Sequence, residues 1–242
     1  MKSATALVVG LLALAAGGSA SAANLILNGS FEKASAGNSL PTGNGESLPS
    51  GSTAIADWTV FGGLSSDGLA WLVNGNEYGV STPYGSYFLD LTGYHDKAPY
   101  FGVEQTIATT PGQAYALTFR LGVDQSSDIY NGPIGVTAKA GSRSKVFDNY
   151  DPSGTGNIWK VFTLDFTAKS ASTLISIQGE EGDQYIGLDD VVVRARPTAE
   201  WTASPSAVPE TSTWAMMIVS FAGLALVGYR KAKKNKTSPA AV

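Results

Sequence analysis

From Asn24 to Arg196 the apolar positions repeat every second residue, not every third or fourth. Tyr115, Leu117, Phe119 and Leu121 are separated by Ala116, Thr118 and Arg120, so one face is apolar and the other more polar. Phe162, Leu164 and Phe166 alternate with Val161, Thr163 and Asp165 in the same way. Further short β-branched or aromatic runs lie at 25–27, 57–61, 87–91, 102–107, 134–138, 173–177 and 185–193, with Gly, Ser, Asn and Asp clusters between them. No amphipathic helical stretch of ordinary length intervenes. The pattern predicts an all-β fold, and about ten strands suit a single two-sheet jelly-roll sandwich. Ser35 to Ser52, poor in bulky residues, is predicted to be a long surface loop, and the stretch holding Trp71, Asn74, Asn76 and Tyr78 is also loop-like. Trp58 and Trp159 sit in strand-like runs and are expected in the core.

The two ends of the chain follow other rules. Lys2, an apolar stretch from Ala4 to Ala16 and the small residues leading to Ala20-Ser21-Ala22 have the order of a secretory signal peptide, assigned to residues 1–23. At the other end an apolar run, Trp214 to Tyr229, is followed by Arg230, Lys231, Lys233, Lys234 and Lys236. Sixteen residues at helical rise span about 24 Å, short of the roughly 30 Å hydrocarbon core. The segment is therefore expected to be a short transmembrane helix over 213–229, with its basic tail held on the cytoplasmic side and the preceding domain facing outward. Residues 197–208, rich in Ala, Ser, Thr and Pro, read as a linker.

The order Pro209, Glu210, Thr211, Trp214, then apolar residues, then Arg230, resembles the PEP-CTERM sorting signal of exopolysaccharide-producing Gram-negative bacteria, matched over 209–236. The resemblance implies an exosortase as processing partner, anchoring in the inner membrane, and final residence at the cell surface or outside it. The second proline usual in that signal is Thr211 here, a departure that bears on processing more than on targeting.

Composition narrows the domain at 24–196 further. It is long enough for one hydrophobic core. The chain has no cysteine although its leader points to an oxidising compartment, so stability rests on the core. A net charge of −4, with five of the sixteen Lys and Arg in the tail, argues against nucleic acid as a partner. His95 is the one histidine, which removes multi-histidine metal sites. No G-x-S-x-G or H-E-x-x-H occurs, and Glu180, Glu181 and Asp183 are neighbours in a Gly-flanked turn, a poor arrangement for two carboxylates flanking a glycosidic bond.

The domain opens on Asn24-Leu25-Ile26-Leu27-Asn28-Gly29-Ser30-Phe31-Glu32 and closes on Ile186-Gly187-Leu188-Asp189-Asp190-Val191-Val192-Val193. These segments, with Tyr87 to Leu91, Val103 to Ile107 and Pro111 to Phe119, resemble the strands of galactose-binding-like jelly rolls, the fold of many carbohydrate-binding modules. The resemblance implies one structural calcium ion held by Glu32 and by Asp189 or Asp190. Burial of an Asp pair inside an otherwise apolar run needs compensation, so at least one of the two is expected to point inward.

Sugar binding needs a flat aromatic face for a pyranose ring and amide or carboxylate groups for its hydroxyls. Trp71 and Asn74, beside Asn76 and Tyr78, and Tyr94 and Asp96, beside Tyr84, His95 and Tyr100, are the candidates. The leading expectation is a non-enzymatic, exported surface protein that binds a polysaccharide of the matrix. A structural or adhesion protein contacting other matrix components without sugar is the alternative, and a secreted glycan-active enzyme has the least support.

Overall fold

The computed structural model describes residues 22–94, 98–124, 132–150, 156–182 and 185–197. Residues 1–21 of the signal segment, His95, Asp96, Asp183, the sorting residues Pro209, Glu210, Thr211, Trp214 and Arg230, and the apolar run at 213–229 lie outside the described residues. A first compact unit ends at Arg196. It contains β1 (Gly45–Leu48), β2 (Thr59–Gly62), β3 (Leu69–Val73), β4 (Tyr87–Asp90), β5 (Phe101–Ala108) and β6 (Ala114–Asp124). These are followed by β7 (Ile134–Ala140), β8 (Arg143–Asn149), β9 (Asn157–Thr167), β10 (Ser172–Glu181) and β11 (Gly187–Ala195).

The strands form two antiparallel sheets. One has six strands in the order β1-β3-β4-β11-β6-β9, the other five in the order β2-β5-β10-β7-β8. This is the two-sheet sandwich that the period-two pattern predicts. In β6, Tyr115, Leu117, Phe119 and Leu121 are buried while Ala116, Thr118 and Arg120 are half-buried on the other face. Val103, Ile107, Val136, Ile175 and Ile177 meet them from the five-stranded sheet. Phe119 packs edge-on to Phe147 of β8 at 5.3 Å between ring centres and stacks on Phe162 of β9 at 6.0 Å, tying one end strand of each sheet into the core. Such aromatic pairs add roughly 0.5–1.5 kcal/mol to simple burial.

Several expectations change. Leu25 to Leu27 is not a strand. It runs beside β11 with Leu25 N bonded to Val193 O, while Leu27 caps the side chain of Gln105 through two bonds. The opening segment then turns through Asn28 and Phe31, both at positive φ, so that Phe31 enters the core against Trp58. Three strands also appear where none was expected. β1 lies inside the expected loop at 35–52 and β8 carries Arg, Ser, Lys and Asp; both are end strands fixed by pairing with a neighbour, not by their own apolar pattern. The third, β3, is buried on both faces.

Trp71 lies on β3 and is fully buried, with its indole N–H donating to Phe31 O at 3.1 Å. The expectation that it offers a face to sugar is therefore corrected: the ring belongs to the core. Trp58 is in the core as expected, whereas Trp159 is half-buried on the outer face of the six-stranded sheet.

Leu117→Ala is expected to cost about 2–5 kcal/mol in urea unfolding, the usual range for an emptied core leucine site. Val146→Ala on β8, at 49% exposure, should stay within about 0.5 kcal/mol.

Candidate functional site

The site begins with what covers the outer face of the six-stranded sheet. The connection from β3 to β4, residues 74–86, folds back over that face. Asn74 fixes its base: the side-chain amide donates to Thr82 O and Gly85 O, and its oxygen accepts Thr82 N. Asn76 bonds Val73 O and Val80 O and accepts Tyr78 N. Far from the turn, Asn157 of β9 bonds Gly79 O and Ser81 N, and the Trp159 indole N–H donates to Ser81 O at 2.7 Å. Val80 is driven into a small second core with Ala70, Leu72, Phe88 and Tyr185, bordered by Tyr78 and Trp159. The Trp159 ring lies over Gly122 and Gly187, where a Cβ would come within 2.4 Å and 3.0 Å of its carbons, so glycine at both positions allows the ring to lie against the sheet.

A buried polar cluster fastens this loop. Asp189 of β11 is fully buried beneath it, accepting the Thr82 hydroxyl at 2.5 Å and the Asp190 amide at 2.6 Å. Burial, together with the charges of Asp190 and Glu32, outweighs those bonds and raises the Asp189 carboxyl from 3.8 to about 7. Asp190 sits at φ 49° within the irregular register of β11 and turns to Arg120, whose Nε donates to it at 2.8 Å. Arg120 also donates to the Tyr84 hydroxyl and lies 4.0 Å from that ring's centre.

The loop, the end of β4 and the entry to β11 together enclose a pocket of about 190 Å³ lined by Ala70, Leu72, Tyr78, Asp90, Gly93, Tyr94 and Tyr185. Tyr78 stands edge-on to Tyr94 at 6.5 Å and lies tilted by 30° from Tyr185 at 6.1 Å. Asp90, buried, accepts the Thr92 amide and hydroxyl and the Ile186 amide on one oxygen. Burial lifts the Tyr94 hydroxyl above its ordinary value, and its hydrogen bond to Tyr78 and the charges of Tyr78 and Asp90 add to the effect. Tyr94 is 46% exposed and also borders a second hollow of about 350 Å³ with Ser47, Pro49, Ser65, Ser66 and Asp67. One half-exposed ring therefore belongs both to an aromatic pocket and to a hollow that contains three serines.

Residues 24–194 match the family described as "Protein of unknown function (DUF642)". The chain belongs to the DUF642 family. No curated protein matches it. Among solved structures it is similar to TmCBM61 in complex with β-1,4-galactotriose, at 15% identity and a TM-score of 0.45, covering 72% of this chain and 99% of that one. It is also similar to a CBM4 structure, at 17% identity and a TM-score of 0.38 over 71% and 99% of the two chains. A family 35 carbohydrate-binding module from Clostridium thermocellum follows at 14% and 0.40 over 61% and 95%. Likenesses at this level say nothing of a ligand.

The expected site residues of this DUF642 chain separate in space. Tyr94 lines the pocket; Trp71 is in the core; Asn74 fastens the loop, its amide spent on backbone carbonyls. Asp96 lies outside the described residues. Tyr78 and Tyr94 come from two different sequence clusters, and Tyr185, which sequence reasoning missed as a site residue, enters from the start of the closing segment. Glu180 accepts the Thr137 hydroxyl at 2.6 Å on the five-stranded sheet, away from this pocket.

The calcium expected at Glu32 and Asp189 or Asp190 does not fit the donors as they stand. Among the described residues no three acidic or histidine side chains converge. Glu32 accepts the Ser86 and Tyr87 amides on one oxygen, Asp190 faces the Arg120 guanidinium, and Asp189 accepts the Thr82 hydroxyl and the Asp190 amide. A calcium ion asks for six to eight oxygens at roughly 2.3–2.6 Å. This corner is instead closed by N–H and O–H donors, so melting should not differ between EDTA and millimolar calcium.

Because the folded state holds the Asp189 proton up to about pH 7 and the unfolded state releases it near pH 4, stability should fall as pH rises through that window and level off on either side. Melting temperatures measured across pH 3 to 9 check this, and Asp189→Asn should remove much of the slope.

Proposed function

We propose that this domain is a non-enzymatic glycan-binding module. The observation that carries the reading is the pocket where three tyrosines converge with a buried carboxylate. Aromatic rings give the apolar face of a sugar a surface to lie on, while the tyrosine hydroxyls, Asp90 and the neighbouring serines suit its hydroxyl groups. A volume of about 190 Å³ is below the roughly 300 Å³ at which drug-sized pockets begin, so the tyrosine pocket suits one ring. The second hollow that Tyr94 borders has room for the next.

Binding fits these groups better than hydrolysis. Glycoside cleavage needs two carboxyl groups flanking the bond, one of them a proton donor. Asp90 is tied by three donors on one oxygen, and Asp67 accepts the Gly68 and Tyr94 amides, so both act as fixed acceptors.

The terminal sequences supply the address in this reading. A cleaved leader, outward display on a short membrane helix and processing by an exosortase at Pro209-Glu210 would deliver the domain to the polysaccharide layer that it binds.

Affinity electrophoresis of the full chain in mild detergent, through gels cast with neutral polysaccharides, tests the proposal. Retardation reversed by free oligosaccharide is expected. Tyr94→Ala should weaken it about tenfold, equivalent to roughly 1.4 kcal/mol, while Leu174→Ala on the exposed face of β10 should leave it unchanged. Free migration in every gel would favour the protein-contact alternative.

A further inference from the structure

A second cleft, of about 580 Å³, lies at the other end of the strands. β11 fixes the separation: Gly187 pairs with Asp90 beside the tyrosine pocket, and Ala195 pairs with Tyr115 in the second cleft. Eight residues of strand place these ends roughly 26 Å apart. The floor is the stacked pair Tyr115 and Phe166, 5.4 Å apart and 18° from parallel. The rim carries Arg143 at the start of β8, Lys169 after β9, Arg196 after β11, and one carboxylate, Asp165.

The three cations are not equivalent. Arg196 is held in place, with its amide on Ala114 O, its carbonyl accepting Gln113 Nε2, and its guanidinium paired with one oxygen of Asp165. Among the described residues the side chains of Arg143 and Lys169 have no ion pair or hydrogen bond. A chain of net charge −4, with five cations in its tail, thus gathers three others around one hollow and leaves two uncompensated. No fold contact described here requires that arrangement, and mutual repulsion disfavours it.

We infer that this cleft is a second binding site, for an acidic glycan that carries one carboxylate per sugar, such as a polyuronate. A guanidinium receives a carboxylate through two parallel N–H bonds, and Lys169 adds a mobile point charge. Asp165 sets the selectivity. Beside the cations it accepts a sugar hydroxyl, and it repels the dense charge of a nucleic acid, which carries one phosphate per roughly 1.7 Å of duplex. With the tyrosine pocket at the opposite end, one domain then holds two glycan segments and links them. The cleft does not depend on the tyrosine pocket's being a sugar site.

Affinity electrophoresis of the full chain in detergent, with EDTA throughout, uses alginate and its uncharged propylene glycol ester as probes. Retardation by alginate is expected, with at least tenfold weaker binding to the ester and a similar loss on raising salt from 50 to 500 mM. Arg143→Gln with Lys169→Gln should weaken alginate binding at least tenfold, and Tyr94→Ala should not change it. Both substituted side chains are exposed and unpaired, so circular dichroism should match the parent. Alginate that fails to retard the protein, equal binding of the ester, equal binding of inorganic polyphosphate, or a double variant that binds like the parent would each overturn the assignment.

Discussion

The hydrogen bond from the Thr82 hydroxyl to the Asp189 carboxyl joins a loop to the middle of a sheet, and the tyrosine pocket depends on that join. Without it, residues 74–86 would be a long connection over a half-polar face, held near its base, at β9 and through Tyr84 on Arg120 of β6, with no side-chain bond to β11. With it, Val80 and Tyr78 settle on Leu72, Phe88 and Tyr185, and a second small core forms outside the sandwich. The cost is a carboxyl buried where its charged form is disfavoured, offset by two short hydrogen bonds and by protonation. Asp190 escapes the same cost by adopting a positive φ at the irregularity in β11, which turns it toward Arg120. The Asp pair is thus divided between two tasks: one carboxyl anchors the loop, the other orients the arginine that carries Tyr84.

That second core also explains which parts of the fold were legible in the sequence. β6 and β9 have one buried and one more open face, so their side chains alternate in character and their strands could be read directly. β3 has no open face, because the inter-sheet core takes Leu69 and Trp71 while the loop covers Ala70 and Leu72. A strand covered on both sides reads as an unbroken apolar run without period, and five such residues next to two asparagines resemble a loop. The misplacement of Trp71 follows from that cover. β1 and β8 were hidden for the opposite reason: they are exposed end strands whose polar side chains record little of the pairing that makes them strands.

The buried Asp was foreseeable because a carboxyl in an apolar run needs compensation, and one of the two is indeed fully buried. The identity of its partner was not, because Thr82 is 107 residues away in sequence. The pocket was legible only in part for the same reason. Local density of aromatics proposed two clusters, whereas the antiparallel return of β11 beside β4 draws one tyrosine from each and adds Tyr185. Sequence proximity measures neighbours along a strand, and a site at a strand end is assembled from turns that are far apart in the chain.

The same antiparallel order gives the domain two unlike ends. β11 starts beside the tyrosines and finishes at Ala195, next to Arg196 in the second cleft. The pairing of Arg196 with Asp165, and the bonds of its backbone to Ala114 and Gln113, fasten Arg196 at this end. Arg143 and Lys169 at the same end stay free to reorient. On the two proposals, an aromatic pocket at one end and a charged cleft at the other would recognise different features of a polymer: the first the face of a sugar ring, the second its carboxylates. Their separation along one strand would let both be engaged at once, since neither proposed ligand would have to move the β-sandwich to reach its site.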